Sequence, residues 1–290
     1  MAGPAFPTSA PPDSPQEGFP GPPRRKDGRW FLVSLVGLVV LVLVAAGLVW
    51  SRHSPLRSDG SHTAAPEKPL FSVPLLTVAA GSAVPTAPAS VPGPHDPRTL
   101  WVDDVSSHSD IPRRVLQAYV RAAEQTTRRL PGCHLTWATL AGFGRVESDH
   151  GQHHGDAVGP DGRESWPIIG PPLDGSPGVR SIADTDHGVL DGDTTWDRAV
   201  GPMQFLPSLW KATGLRASGD GHAPDPQNID DATLTAAAYL CSAGGDLAVP
   251  AKWWQAAFTY NNSVAYGRAV FSAADAYARV AATVKVGTGG

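Results

Sequence analysis

The sequence predicts a mainly α-helical domain carried behind one membrane-spanning helix and a proline-rich linker. Three observations lead there. Beyond residue 98, apolar residues recur at helical spacing between Asp, Pro or Ser starts and Gly or Pro stops, while alternating strand patterns are scarce. Residues 30–50 form an uncharged run of 21 residues rich in Val and Leu. Of the 29 prolines, 8 fall in residues 1–29 and 9 in residues 54–98, so neither of those segments can build a core.

Residues 1–29 read as a disordered cytoplasmic tail. The run from Trp30 to Trp50 would span about 31 Å as a helix, close to the thickness of a bilayer core. Its terminal tryptophans suit the two membrane interfaces. Arg24, Arg25, Lys26 and Arg29 precede the run, and Arg52 and Arg57 follow it. The positive-inside bias then places the N-terminus in the cytoplasm and the remainder outside a plasma membrane crossed once. A cleavable signal peptide is the competing reading. Its apolar region is usually shorter and ends at a small-x-small site, whereas this run ends in Leu48-Val49-Trp50, which favours an uncleaved anchor. Residues 51–97 are rich in Pro, Ala, Ser and Thr and poor in charge, the composition of a semi-extended linker.

Residues 98–290 are sized for one core. Asp110-Ile111-Pro112 opens a first helix, with Val115, Tyr119 and Ala122 on one face, and Leu130-Pro131-Gly132 ends it. A second helix is expected from Leu135 to Glu147. A short one follows Pro207 to Gly214, and Asp230 and Asp231 cap another that runs to Leu247. Pro250 starts the next, and the last spans Ser263 to Val284. A long loop, Ser148 to Ala199, interrupts the helices; loops of that length are usually functional or disordered.

The formal net charge of -4 excludes a strongly basic nucleic-acid binder. It divides into +1 for residues 1–97 and -5 for residues 98–290. Ten acids against two arginines lie between 149 and 197, a set that could order the loop, bind sugar hydroxyls or hold a cation. Only two cysteines are present, Cys133 and Cys241. In an oxidising compartment such a pair suggests one disulfide, the alternative being two buried thiols.

The domain has three glutamates: Glu124 amid polar neighbours, Glu164 in the loop, and Glu147. Glu147 shares a helical face with Leu140 and Phe143, so desolvation should raise its pKa. The dipole of the helix C-terminus pushes the same way. A carboxyl held protonated near neutral pH can serve as a general acid, while an arginine-paired glutamate is the structural alternative. His150, His153 and His154 are interrupted by glycines and lack a zinc-protease pattern, so they read as loop residues. Ser218, Asp220 and His222 have part of the spacing of a calcium loop, but Arg216 and Gln227 occupy its first and twelfth places. No metal or cofactor is therefore required by any motif, and calcium beside Ser218, Asp220 and His222 is a weak candidate. Aromatics crowd the C-terminal half, and Tyr260-Asn261-Asn262 sets polar donors beside an aromatic ring.

Four segments together resemble the lytic transglycosylases. Gly144-Arg145-Val146-Glu147-Ser148, followed by Gly151, resembles their Glu-Ser motif. Ala199 to Ser208, followed by Trp210, resembles their Gly-x-Met-Gln-Phe-x-Pro-Ser motif. Asn228 to Ala232 with Ala238-Tyr239-Leu240 resembles the third, and Tyr260-Asn261 with Tyr266 the fourth. Order and spacing are similar to the B-type membrane-bound murein transglycosylases in their actinobacterial form, over Ile111 to Tyr277. The loop text Asp184-Thr185-Asp186 and Leu190-Asp191-Gly192-Asp193 is similar as well, with His187 standing where that subgroup has Gly.

The resemblance implies a lysozyme-like domain that cleaves the β-1,4 bond between N-acetylmuramic acid and N-acetylglucosamine in peptidoglycan without water. Glu147 would protonate the leaving oxygen and then deprotonate the muramic 6-hydroxyl, which closes a 1,6-anhydro ring. The resemblance also implies substrate contacts from Ser148, Thr195, Met203, Gln204, Phe205, Tyr239, Tyr260, Asn261 and Tyr266, with Thr195, Tyr260 and Asn261 supplying neutral dipoles. Three other readings compete. One is a goose-type-like muramidase using water and a loop acid such as Asp186 or Asp193; another is a non-catalytic peptidoglycan-binding module. The third is a metal-dependent hydrolase built on the acidic loop. Glycan strands and the plasma membrane are the expected partners, and no motif names a protein partner.

Overall fold

Asp96 caps the first helix of the domain through its side chain, which accepts the Thr99 N–H at 2.8 Å, and Pro97 takes the first helical position. This helix, α1 (Pro97–Ser107), buries Trp101, Val102 and Val105 and was not anticipated from its composition. In the computed structural model the described residues are 77–78, 84–86, 96–152, 155 and 157–284. The tail at 1–29, the apolar run at 30–50 and most of the 51–97 linker lie outside them. Among the described residues, no helix is long and apolar enough to cross a membrane.

Six further helices follow. They are α2 (Arg113–Arg129), α3 (Trp137–Ser148), α4 (Pro207–Thr213), α5 (Ile229–Gly244), α6 (Pro250–Tyr260) and α7 (Val264–Thr283). The mainly helical class expected from periodicity is what the chain adopts. One small antiparallel sheet interrupts it, β1 (Ile169–Pro172) against β2 (Arg198–Val200), with Ile169 opposite Val200 and Pro172 opposite Arg198. This pair frames the later part of the long loop, from 169 to 200.

Helix α3 is the centre of the domain. Thr136 caps it, and every residue from Trp137 to Gly144 is buried. Its most extensive neighbour is α7, while α2 packs on α5 and α5 on α6. Gly142 and Gly144 explain how α3 fits there. A Cβ on Gly142 would lie 2.6 Å from the Val270 carbonyl oxygen of α7, and one on Gly144 would overlap the Tyr119 hydroxyl of α2. Glycine costs about 1 kcal/mol relative to alanine inside a helix; here it permits backbone approaches that no side chain allows.

Ion pairs fix the periphery. Arg98 of α1 grips Glu124 of α2 in a two-pronged contact at 2.7 and 3.0 Å, so Glu124 is a paired residue and not merely a solvated one. Arg114 and Arg121 of α2 both reach Asp230 in the first turn of α5. That turn is capped by Asn228, two residues before Asp230 where the sequence pattern placed the cap, and Asp230 and Asp231 lie just inside the helix. Cys133, in the 3₁₀ turn after α2, is bonded to Cys241 of α5 across 108 residues.

Candidate active site

Glu147 is one turn beyond Gly144, near the C-terminal end of α3, and is half-buried. Its Oε1 accepts a short hydrogen bond from the Tyr266 hydroxyl. Among the described residues, Oε2 takes no hydrogen bond and no arginine or lysine pairs with this carboxylate. Burial pushes its pKa up to about 7, partly opposed by the Tyr266 hydrogen bond. Burial, and after it the neighbouring Glu147, hold Tyr266 far above the usual phenol value, so it remains a donor.

The surrounding aromatic wall has a simple sequence origin. Helix α6 ends at Tyr260, and Ser263 caps α7 by accepting the Tyr266 N–H at 3.3 Å. The short break between them brings both Tyr260 and Tyr266 against Phe143, with ring centroids at 4.8 and 6.2 Å. Tyr239 of α5 lies 5.8 Å from the Tyr260 ring and Phe205 lies 5.9 Å from it, but Phe205 is buried in the core and supports the cluster from beneath instead of offering a surface to substrate.

The segment 199–205 is a tight turn. Val200 and Phe205 exchange backbone hydrogen bonds at 2.8 and 3.0 Å, and Gln204 lies in the left-handed region with φ 48°. Gly201 is needed inside it because its φ is 76° and a Cβ would strike the Pro226 carbonyl. The turn is tied to α3 and α6 on two sides: the Ser148 hydroxyl donates to Pro202 O at 2.7 Å, and the Tyr260 hydroxyl donates to Met203 O at 2.7 Å. Ser148 also accepts the Gly151 N–H at 2.9 Å. Met203 is fully buried beneath this turn, whereas Gln204 is half-exposed.

The structure thus gathers Glu147, Ser148, Met203, Gln204, Phe205, Tyr239, Tyr260 and Tyr266 into one region. Thr195 and Asn261 lie outside these contacts. Thr195 is exposed on the loop, its N–H held by Asp193, and Asn261 is an exposed residue that ends α6.

His150 lies in the turn after α3, as its loop reading expects, yet it is part of the interior. His150 is fully buried, with Nδ1 3.0 Å from the Tyr119 hydroxyl and Nε2 2.7 Å from the Tyr277 hydroxyl. Tyr277 in turn donates to Asp110 at 2.6 Å. Burial lowers the His150 pKa to about 4, so the ring is neutral at ordinary pH and locks α2, α3 and α7 together. His153 and His154 are outside the described residues.

The acidic loop is built on aspartates that accept backbone N–H groups. Asp184 takes those of Asp186 and Gly188, Asp186 those of Val189 and Leu190, and Asp193 those of Thr195 and Trp196. These bonds are the first cause of the lowered pKa of Asp184 and Asp193. Asp184, Asp186 and Asp197 bring carboxylate oxygens within 4.8 Å of one another. Asp197, fully buried, already holds the Thr185 N–H and hydroxyl.

The calcium-like spacing at Ser218, Asp220 and His222 has its own answer. The Arg216 guanidinium binds Asp220 at 2.7 and 2.9 Å and the buried Asp231 at 2.8 Å. Asp231 also accepts the N–H groups of Ala217 and Asp225. A positive side chain therefore stands among the acids a metal would need, and the residues present do not fit a calcium ion. Replacing Arg216 with Ala should lower the thermal unfolding midpoint in EDTA and make it rise on addition of calcium. The unmodified protein's midpoint should ignore calcium; a calcium-induced rise there would refute the substitution of guanidinium for metal.

Comparison with known proteins adds one structural likeness. No protein-family model matches the chain, and no curated protein matches its sequence. Among solved structures, the Escherichia coli lytic transglycosylase Slt35 in complex with bulgecin A aligns over 62% of this chain and 78% of that one. The identity is 15% and the TM-score 0.34, a level that does not by itself establish a common fold.

Proposed function

We propose that the chain is a membrane-anchored lytic transglycosylase of the B type, with Glu147 as its single acid and base. The observation that carries the reading is Glu147 itself: a carboxyl without a cationic partner among the described residues, raised to about 7, held by Tyr266 beside the cluster of Phe143, Tyr239, Tyr260 and the 199–205 turn. Only burial and Tyr266 are seen to shift its proton affinity, which favours one-carboxylate chemistry over the two-carboxylate arrangement of ordinary glycosidases. Anchoring through residues 30–50, with 51–97 as tether and the domain facing the wall, belongs to the same proposal. The Cys133–Cys241 disulfide supports an oxidising location.

In the proposed reaction the proton on Glu147 passes to the glycosidic oxygen as the bond to C1 of the muramic residue breaks. The positive charge at C1 is eased by the substrate acetamide and by neutral dipoles such as the Tyr260 hydroxyl and Asn261. The carboxylate then takes the proton of the 6-hydroxyl while O6 bonds to C1, so that no water is consumed. Tyr266 holds Oε1 and leaves Oε2 for the proton transfers. Ser148 fixes the 199–205 turn, and Met203, Gln204, Phe205 and Tyr239 shape the groove beside it; Thr195 would act from the loop.

The test is product mass. The full chain in detergent, incubated with purified sacculi, should release muropeptides lacking one water relative to hydrolysis products. Hydrated products would identify a muramidase, and no release would leave a binding module.

A further inference from the structure

Trp166 is 72% exposed, while Trp101, Trp137, Trp210, Trp253 and Trp254 are buried and Trp196 is half-buried. Burying a side chain of this size against a ligand would be worth roughly 1.5–3 kcal/mol or more. The backbone on both sides is held. Upstream, Ser165 N–H donates to Ala157 O at 3.2 Å, and Val158 pairs with Glu164. Downstream, the Gln227 amide clasps both the N–H and the carbonyl of Ile168, at 2.9 and 3.1 Å.

Those two anchors place the Trp166 backbone relative to the Glu147 site. Glu164 packs against Gly151, whose N–H is bound by Ser148 next to Glu147. The Ile168 carbonyl accepts the Gly201 N–H at 2.9 Å, at the start of the turn that carries Met203 and Gln204. The segment 164–168 therefore runs from the end of the Glu147 helix to the Gln204 turn. Trp166 is two residues from Ile168, a Cα separation of at most about 7 Å. Immediately beyond, Ile169 is also exposed and Gly170 faces the Gln204 side chain.

We infer that Trp166 is a sugar-stacking platform at the rim of this groove, contacting a ring of the glycan strand away from the bond that is cut. The inference rests on the proposed glycan-cleaving function. The negative face of an indole attracts the polarised C–H groups on the flat side of a pyranose. Such a contact is neutral, as the acid-rich surface of this domain requires for an anionic polymer. Because the backbone is fixed before binding, little ordering entropy opposes the contact.

The test uses the full chain carrying Glu147→Gln, so that no substrate is consumed, and a soluble β-1,4-linked N-acetylglucosamine oligomer as probe in titration calorimetry. Adding Trp166→Ala should weaken binding about tenfold, whereas Trp166→Phe should retain most of it. In the otherwise unmodified chain, Trp166→Ala should raise KM on sacculi with kcat nearly unchanged. The unfolding midpoint should stay constant, since the ring covers no core. Equal affinity of the Ala variant and its parent would overturn the platform alone. A parent that bound no oligomer, from a chain that releases no muropeptide, would overturn both the platform and the function beneath it. Loss of a protein partner with glycan affinity intact would make Trp166 a protein contact and likewise refute the platform.

Discussion

Glu147→Gln should abolish muropeptide release, with a fall of about 10²- to 10⁴-fold in rate, the range expected when a general acid is removed. Glutamine keeps the shape of the side chain and can still accept the Tyr266 hydroxyl, so the loss would report the missing proton and not a disrupted groove. The pH profile of the unmodified protein should agree. Cleavage begins from protonated Glu147, whose pKa is about 7, so kcat/KM should fall about tenfold per pH unit above neutrality. The same group gives a stability signature of defined sign. Its native pKa of about 7 lies above the unfolded value near 4.5, so the folded state binds more protons between them. Stability from this group is fully present below pH 4.5 and is lost as pH rises through 7. The Gln variant lacks that loss and should exceed the parent by at most about 3 kcal/mol at pH 8, while matching it at pH 4.5. Other titrating groups, His150 among them, cancel in this difference. Urea unfolding of both proteins at the two pH values measures it. Equal stability at pH 8 would mean that Glu147 is solvated and unsuited to the proposed role.

The legible parts of this molecule are those governed by short-range rules. Glu147 stood out because Leu140 and Phe143 share its helical face, and its burial follows from that face. The helix starts at Pro207, Pro250 and Ser263 were readable from proline and cap chemistry. The start at Asp96-Pro97 carried the same signal, but it was hidden by its place at the end of a proline-rich stretch. His150 was unreadable for a different reason. Its partners Tyr119 and Tyr277 lie 31 and 127 residues away, and flanking glycines give the local sequence the look of a loop. The acidic cluster at 184–197 was legible as composition but not as structure. Side-chain caps on backbone amides leave no periodic trace, so turn architecture, cation binding and sugar contact look alike in sequence.

Removing the Cys133–Cys241 cross-link should be the most costly change to stability. The bond spans 108 residues, and chain entropy predicts a loss of about 4–5 kcal/mol for a loop near that length. That is a large share of the roughly 5–15 kcal/mol that holds a typical domain. The enclosed chain contains α3 with Glu147, the acidic loop, the 199–205 turn and Tyr239 of α5, so one bond restrains most of the groove-forming segments in the unfolded state. In the native state the bond is not their only restraint. Leu247 N–H donates to Cys133 O at 2.7 Å, and His134 pairs with Asp246 beside it. The folded geometry should therefore persist without the disulfide, and the loss should come from a freer unfolded chain. A Cys133→Ala, Cys241→Ala double variant is then expected to keep its turnover at low temperature. It should unfold at markedly lower urea with a larger m-value, since its unfolded ensemble is less compact. A variant that lost activity in step with stability at low temperature would instead place the bond's contribution in the native geometry of the groove.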